Sequence, residues 1–499
     1  MKVPIKGFVG GSWTSRSLNA DAQRCINWFP ELIESGEGKT SAMLVPTPGM
    51  KYYSGIGIVG NGCRPGGLYA ATNGKLYLVS SNELTEFDVT GTPTTRGTLL
   101  TTSGQVAISD NGNVLFIVDG TNYYVFDFVS LVFTTFTDAA LTGSTHIGYL
   151  NGFFIINCPN DVNGLAVWRW SPVDWNGTDP WDPLDFANAD SSPDRLQGLC
   201  AFGGEIWFIG TQGFEVWYPA NDPDLPFARS PGTSAQIGTY AKYSIAQIKD
   251  SVFWLGASKE GFGQIFRSNG YQAERISNHG LEKEISSYGA LDDAIGFTYQ
   301  QEGHSFYVLS FQSGDRTWVY DLSTGLWHER RWRNPVTGVQ GRWRAVSAAQ
   351  FSNKVIVGDY IYHSGEGDLI YELDLNYYYD DLSTADTGGV IVRLRSSPHG
   401  SQNLDWVYFN LFQIDMETGV GITTGQGSDP LLMLRYSNDG GHTWSNQRQV
   451  RIGAIGEYLT RVRFNRCGRA RDRVWEISIS DPVKAIVLGA LAEIEVGAT

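Results

Sequence analysis

The chain has 499 residues, 59 of them glycine, with 13% aromatic and only 18% charged side chains; 52 acidic residues against 37 Lys and Arg give a net charge of −15. This composition excludes a helical bundle and fits many short strands joined by tight turns, in a chain long enough for two or three domains with separate cores. The acidic balance opposes non-specific binding to phosphate backbones, which draws its affinity from Lys and Arg, so any contact with nucleic acid has to be local.

The N-terminal "MKVPIKGFVGG" carries lysines with no apolar run behind them, and no stretch is long and apolar enough to span a bilayer. Synthesis in a cytoplasm and no membrane insertion are expected. Residues 1–55 are turn-rich and read as an arm and connector packed on another surface, with "ESGEGKTS" at 34–41 as a mobile loop. The cysteines, Cys25, Cys63, Cys158, Cys200 and Cys467, are odd in number and scattered, which predicts reduced, mostly buried thiols and neither a disulfide framework nor a zinc site.

Residues 56–380 repeat one pattern: a strand-like alternation, a turn of Gly, Asn or Asp, and a second strand rich in Ile, Val, Phe and Tyr. It is seen in "GLYAATNGKLYLV" (67–79), "VAISDNGNVLFIV" (106–118), "HIGYLNGFFII" (146–156) and "GLCAFGGEIWFI" (198–209). It returns in "IAQIKDSVFWL" (245–255), "GFTYQQEGHSFYVL" (296–309) and "SAAQFSNKVIV" (347–357). Asn-Gly and Gly-Gly supply the positive φ angles of primed hairpin turns. The copies start roughly 40 to 50 residues apart, the length of one four-stranded propeller blade. The predicted fold class is therefore all-β: a β-propeller of about seven blades, six being the alternative count, with a pair of stacked sandwiches as the competing architecture. The apolar runs "LYLV", "LFIV" and "IWFI" are expected at the innermost strand of each blade, and "RTWVYDLSTGLWHER" (316–330) in a blade's outer part.

Residues 381–499 change rhythm, with longer strands such as "LDWVYFNLFQIDM" and "DRVWEISISD", and read as a C-terminal antiparallel β-sandwich or jelly-roll domain. Within it lies "SNDGGHTW" (437–444), an Asp-box pattern of the kind that recurs in sialidases. Ser437, Asp439, Gly441, Thr443 and Trp444 suit a turn lock: the polar side chains bond backbone N–H groups, the glycine takes a positive φ, and the indole folds over the hairpin.

Chemistry is sparse. No phosphate-binding glycine motif joins a strand to a helix, and the seven histidines never fall at ligand spacing, so no cofactor and no metal are expected. "DWNGTDPWDPLDF" (174–186) gathers aspartates near Asp174 that suit either calcium or solvated hairpin ends. A glycosidase needs a pair of carboxyls, or a tyrosine with arginines, and neither can be singled out; the Asp-box is single and outside the blades. Two basic stretches remain. "HERRWRNPVTGVQGRWR" (328–344) contains Arg330, Arg331, Trp332, Arg333, Arg342, Trp343 and Arg344. "RVRFNRCGRARDRVW" (461–475) contains Arg461, Arg463, Arg466, Arg469, Arg471 and Arg473. Both suit protein interfaces, where Arg and Trp are enriched, or contacts along a DNA channel.

The ends of the chain carry a family resemblance. "LNADAQRCINWFPEL" (18–32) followed by "LVPTPGMKYY" (44–53) resembles the start of the tail hub, or nozzle, proteins of short-tailed phages, the packaged-DNA stabilisation family. "WDPLDFANADSSPDRLQGLCAFGGEIWFIGTQGFEVWY" (181–218), "GEGDLIYELDLNYYYDD" (365–381) and then "SNDGGHTW" are similar to that family in order, so the resemblance spans nearly the whole chain through short motifs. It implies a non-enzymatic structural protein of the virion tail, assembled in the host cytoplasm as a homohexameric ring through its C-terminal domain. Such a ring prolongs the DNA channel below the head-to-tail adaptor protein and retains packaged DNA. Double-stranded DNA passes through without sequence-specific binding, and a tailspike or tail fibre and a needle or plug protein dock on it. A sialidase-like or polysaccharide-degrading propeller and a glycan-binding propeller lectin are the rival readings.

Overall fold

The computed structural model describes residues 1–497 except 36–37, 57–61, 192–193, 221, 223, 259–260, 362–366 and 383–388. The loop expected at 34–41, the Ser-Pro-Asp turn at 192–194 and the start of the 365–381 segment thus fall partly outside the described residues. Alternating patterns and tight turns give strands nearly everywhere; among the described residues the one α-helix is His279–Ser286, capped by the Asn278 side chain, which accepts from the Leu281 N–H.

Seven sheets follow one another over residues 63–98, 107–136, 147–188, 196–229, 238–275, 295–333 and 345–374. The innermost strands touch in that order, and Ala345–Phe351 of the seventh touches Cys63–Ala70 of the first, closing a seven-bladed propeller. The turns form as the sequence predicts: Asn151 and Gly152 both take positive φ, and Ser352 and Asn353 do the same without any glycine.

The apolar runs correct one expectation. Leu76–Ser80, Val114–Val118 and Glu205–Gly210 are the second strands of their blades, not the innermost. A second strand is covered on both faces by neighbouring blades and so is buried throughout, as Leu76–Ser80 and Val114–Val118 are. The innermost strands crowd the axis, where bulk is excluded: a Cβ on Gly148 would stand 2.8 Å from that of Ala201 on the next blade. In blade five this strand is broken by the 3-10 turn Lys242–Ser244, which touches the innermost strands of blades four and six. The Tyr243 ring stacks on His146 of blade three with centroids 5.8 Å apart, and Ser244 O accepts from Tyr307 Oη at 2.8 Å.

The seventh blade takes only three strands from its own stretch; the fourth is Gly49–Ile56, antiparallel to Asp368–Asp374. The arm goes further. Trp28–Leu32 and Ala42–Pro46 extend a sheet of the C-terminal sandwich through Val487–Val496, which pairs in turn with Val407–Met416. The second sandwich sheet contains Arg393–Ser396, Asp472–Ile479, Leu431–Ser437 and Arg448–Arg451, and Cys25–Ile26 connects it to the outer strand of blade six, Leu326–Arg333. Phe8, Cys25, Trp28 and Leu44 from the arm share one core with Phe412, Leu432, Trp475 and Val487. The arm is therefore part of both folds. Burying its large apolar side chains contributes about 1.5–3 kcal/mol each.

Candidate functional site

The first basic stretch folds at the seam between propeller and sandwich. Leu326–Arg333 alternates its side chains between the two faces, which turns Arg330 inward. Its guanidinium lies over the Trp343 ring at 3.5 Å and donates to Pro48 O at 2.8 Å. Arg344 pairs with Asp359 at 3.0 Å and donates to Asp381 O at 2.6 Å. Arg330, Trp343 and Arg344 are all buried, so their partners lie within the chain; this corrects their assignment to a partner interface or DNA channel. Arg393 is buried close by, and Asp380 is the carboxylate common to the three arginines: burial raises its pKa while Arg344, Arg330 and Arg393 lower it. Burial in turn lowers Arg330 and brings Arg393 down to about 10; at Arg344 burial also lowers, but Asp359, Tyr371 and Asp380 together outweigh it and raise the pKa. Removing one member would strand a buried charge.

The rest of the stretch is half-exposed. Arg331 Nε pairs with Glu329 at 2.5 Å, Arg342 stacks over Tyr360 at 3.6 Å, and Trp332 and Arg333 lead into a hairpin whose tip exposes Val336 and Val339.

The second stretch divides differently. Arg473 is buried between Tyr436 (4.1 Å), Phe409 (4.5 Å) and Trp475 (4.9 Å), donates to Asn438 Oδ1 at 2.9 Å, and burial pulls its pKa down to about 10. It too is a core residue. Arg463 is half-buried and bonds Gln413 Oε1 at 2.9 Å. Arg461, Arg466, Arg469 and Arg471 are exposed, with Arg469 and Arg471 over the Trp406 ring at 4.4 and 5.0 Å. The two stretches do not meet in one site.

The Asp-box forms the turn its residues dictate. Ser437 Oγ donates to Asp439 Oδ1 at 2.6 Å and accepts from Gly441 N at 2.7 Å; Asp439 also accepts from Thr443 N at 2.8 Å and Thr443 Oγ1 at 2.6 Å. Those bonds, led by Ser437 and Thr443, hold the Asp439 carboxyl far below the ordinary range, which suits a fixed anion and not a general acid. Trp444 packs against Arg435, 4.7 Å from its ring centroid. Gly440 and Gly441 leave room for Asn19 and Ala22, so the turn seats the "LNADAQ" part of the arm. His399 holds the same segment from the side, with Nε2 2.8 Å from Leu18 O and Nδ1 2.7 Å from Asp472 Oδ2. In the 174–186 stretch, Trp175 and Trp181 are buried in a core shared by blades two and three, and Asp179 and Asp182 accept turn bonds from Asn176 and Leu184.

Two residues that the sequence reading passed over do the most to join the parts. Asn27, at φ 54°, donates from Nδ2 to Arg331 O (3.0 Å) and Val392 O (2.8 Å) and accepts from Arg331 N at 2.9 Å. Arg395 places its guanidinium in a cradle of arm acceptors: Gly7 O, Phe8 O, Gly11 O, Arg24 O and the Gln23 side chain. A polar residue inside the apolar "CINWF" was the one available signal; Arg395 in "VRLRSS" gave none.

Comparison with family models decides the identity of the fold. Residues 1–367 match the model described as bacteriophage P22 Gp10, beta-propeller, and residues 393–495 match bacteriophage P22 Gp10, beta-sandwich. The chain belongs to the P22 Gp10 family. It is a structural tail protein of a phage and a component of the virion tail. Members of the P22 Gp10 family are thus described by two successive units, and here the arm, counted with the propeller, also completes a sandwich sheet. Comparison with curated proteins found no match. Among solved structures the chain is similar to virginiamycin B lyase from Staphylococcus aureus (11% identity, 63% of this chain and 95% of that one, TM-score 0.40). It is also similar to the Pan2 WD40 domain of Neurospora crassa (7% identity, 66% and 96%, TM-score 0.41).

Proposed function

We propose that this chain is the hub, or nozzle, of a short phage tail: a non-enzymatic ring subunit that prolongs the DNA channel below the head-to-tail adaptor and retains the packaged genome. The observation that carries this reading is the match of both family models, which together leave only the junction at 368–392 and the last residues unassigned. The electrostatics support it. A net charge of −15, with Arg330, Arg344, Arg393, Arg395 and Arg473 buried in internal bonds, suits a wall along which DNA slides. In this reading the sandwich joins neighbouring subunits into a homohexamer, with the exposed arginines around Trp406 at subunit or partner contacts. The assembly docks a tailspike or fibre and a needle or plug, and forms in the host cytoplasm. Particles assembled without this chain test the reading. Filled heads that lose their DNA, and keep it when the purified chain is added back, are expected; heads that stay filled and infectious without it would overturn the reading, as would release of sugar from a host glycan by the purified chain.

A further inference from the structure

Arg24, Arg316 and Arg331 line a cleft of about 340 Å³ with Ser12, Thr14 and Trp318, between the arm, the helix His279–Ser286 and the outer strands of blade six. Glu329 answers two of these cations, at 2.5 Å from Arg331 Nε and 3.3 Å from Arg316 Nε. Arg24 reaches Glu476 only at 4.0 Å, and Glu476 is already engaged by Arg435 Nε at 2.5 Å and Ser396 Oγ at 2.8 Å. Among the described residues, no hydrogen bond is made by the Arg24 guanidinium or by the two terminal nitrogens of Arg331. Glu284 is the remaining carboxylate of the lining, and beside it on the helix Lys283 Nζ bonds the backbone Arg16 O of the arm at 3.2 Å. The charge is held at a cost, since burial lowers the Arg24 pKa against the pull of Glu329 and Glu476. A planar guanidinium with idle parallel donors is matched by a carboxylate or a phosphate.

We propose that this cleft receives an aspartate or glutamate side chain from an acidic segment of a protein partner. One wall is the largely buried Trp318, and two glutamates, Glu284 and Glu329, flank the arginines. A flexible peptide can lower one carboxylate between them, whereas a duplex brings a row of phosphates that the two glutamates and the acidic chain around them repel. The cleft is also a local reversal of charge on an acidic chain, which gives an acidic partner one place to register and repels it elsewhere.

Titration calorimetry of the full chain at low salt tests this, with an acetylated tetraglutamate peptide as probe and a short DNA duplex of equal charge as competitor. Saturable peptide binding is expected. Arg24→Gln should weaken it by about tenfold or more, the loss of charge-assisted bonds, and Arg24→Lys, which keeps charge without the fork, should fall between. Arg461→Gln, on the sandwich surface, should leave it unchanged. Absence of binding, binding indifferent to Arg24→Gln in a variant that melts like the parent, or displacement of the peptide by the duplex would each overturn the proposal. None of these results depends on the hub reading, which stands or falls on DNA retention.

Discussion

Replacing Arg395 by methionine removes the centre of the arm's attachment while keeping the side chain's length. Five bonds are lost: Nε to Phe8 O (2.7 Å), Nη1 to Gly11 O (2.8 Å) and Arg24 O (3.3 Å), and Nη2 to Gly7 O (2.8 Å) and Gln23 Oε1 (2.6 Å). Bonds to a charged donor contribute about 1.5–3 kcal/mol each before desolvation. Relief of the guanidinium's desolvation, several kcal/mol, offsets part of this, while each neutral acceptor left unpaired costs about 1–3 kcal/mol, so the net loss is about 3–5 kcal/mol. Here the loss is local, because the bonds tie residues 7–24 to the sandwich and leave the blades' own ladders intact. At 1.4 kcal/mol per factor of ten, amide exchange in that segment should accelerate by roughly two to four orders of magnitude. Hydrogen exchange read by mass spectrometry separates the arm from the blades: faster exchange at 5–26 with an unchanged pattern at 107–136 is expected. Arm exchange within about threefold of the parent would refute the claim that the cradle holds it.

Gly49→Ala would drive a Cβ into the backbone carbonyls of Tyr377 and Tyr379, so the strand closing blade seven should be displaced and the urea midpoint fall, with cleavage appearing near 49–56. Ser437→Ala removes a buried hydroxyl that bonds Asp439 and the Gly441 N–H, and should destabilise the sandwich by about 1 kcal/mol in thermal melts without abolishing assembly. His304 is held above its ordinary pKa, chiefly by the Asp321 hydrogen bond; its contribution is fully present below the unfolded value near 6.5 and fades as pH rises through the folded one. His304→Gln should therefore lose more stability at pH 6 than at pH 9. His328 runs the other way: burial brings it down to about 3, so it opposes folding increasingly as pH falls from 6.5 toward that value, and His328→Leu should reduce the acid sensitivity of the melting temperature.

What the sequence made legible is what local pattern encodes. Asn-Gly and Gly-Gly between apolar runs specified the hairpins, and the Asp-box was legible as a turn because the bonds of the Ser437 hydroxyl and the Asp439 carboxylate stay between Ser437 and Thr443. The closing strand of blade seven was hidden, since "GMKYYSGI" pairs with residues more than three hundred positions away and no period reports such a distance. The same holds for Trp28, whose indole N–H reaches Ala485 O at 2.8 Å across the whole chain. Arginine and tryptophan in "RRWR" and "RWR" look like surface recognition residues; instead Arg330 is turned inward by its strand, and Trp343 and Arg344, between two strands, are buried in the seam, where Asp359 and Asp380 make the burial of the arginines tolerable. Pairing a basic run with distant aspartates is beyond a single sequence.

The central claim is that copies of this chain assemble into a ring around a passage for DNA. Negative-stain electron microscopy of the purified full chain, alone and on heads bearing the adaptor, tests it most directly. The account predicts rings of six subunits with an open centre beneath the adaptor; single particles of one chain under both conditions, or a ring without a passage, would contradict it.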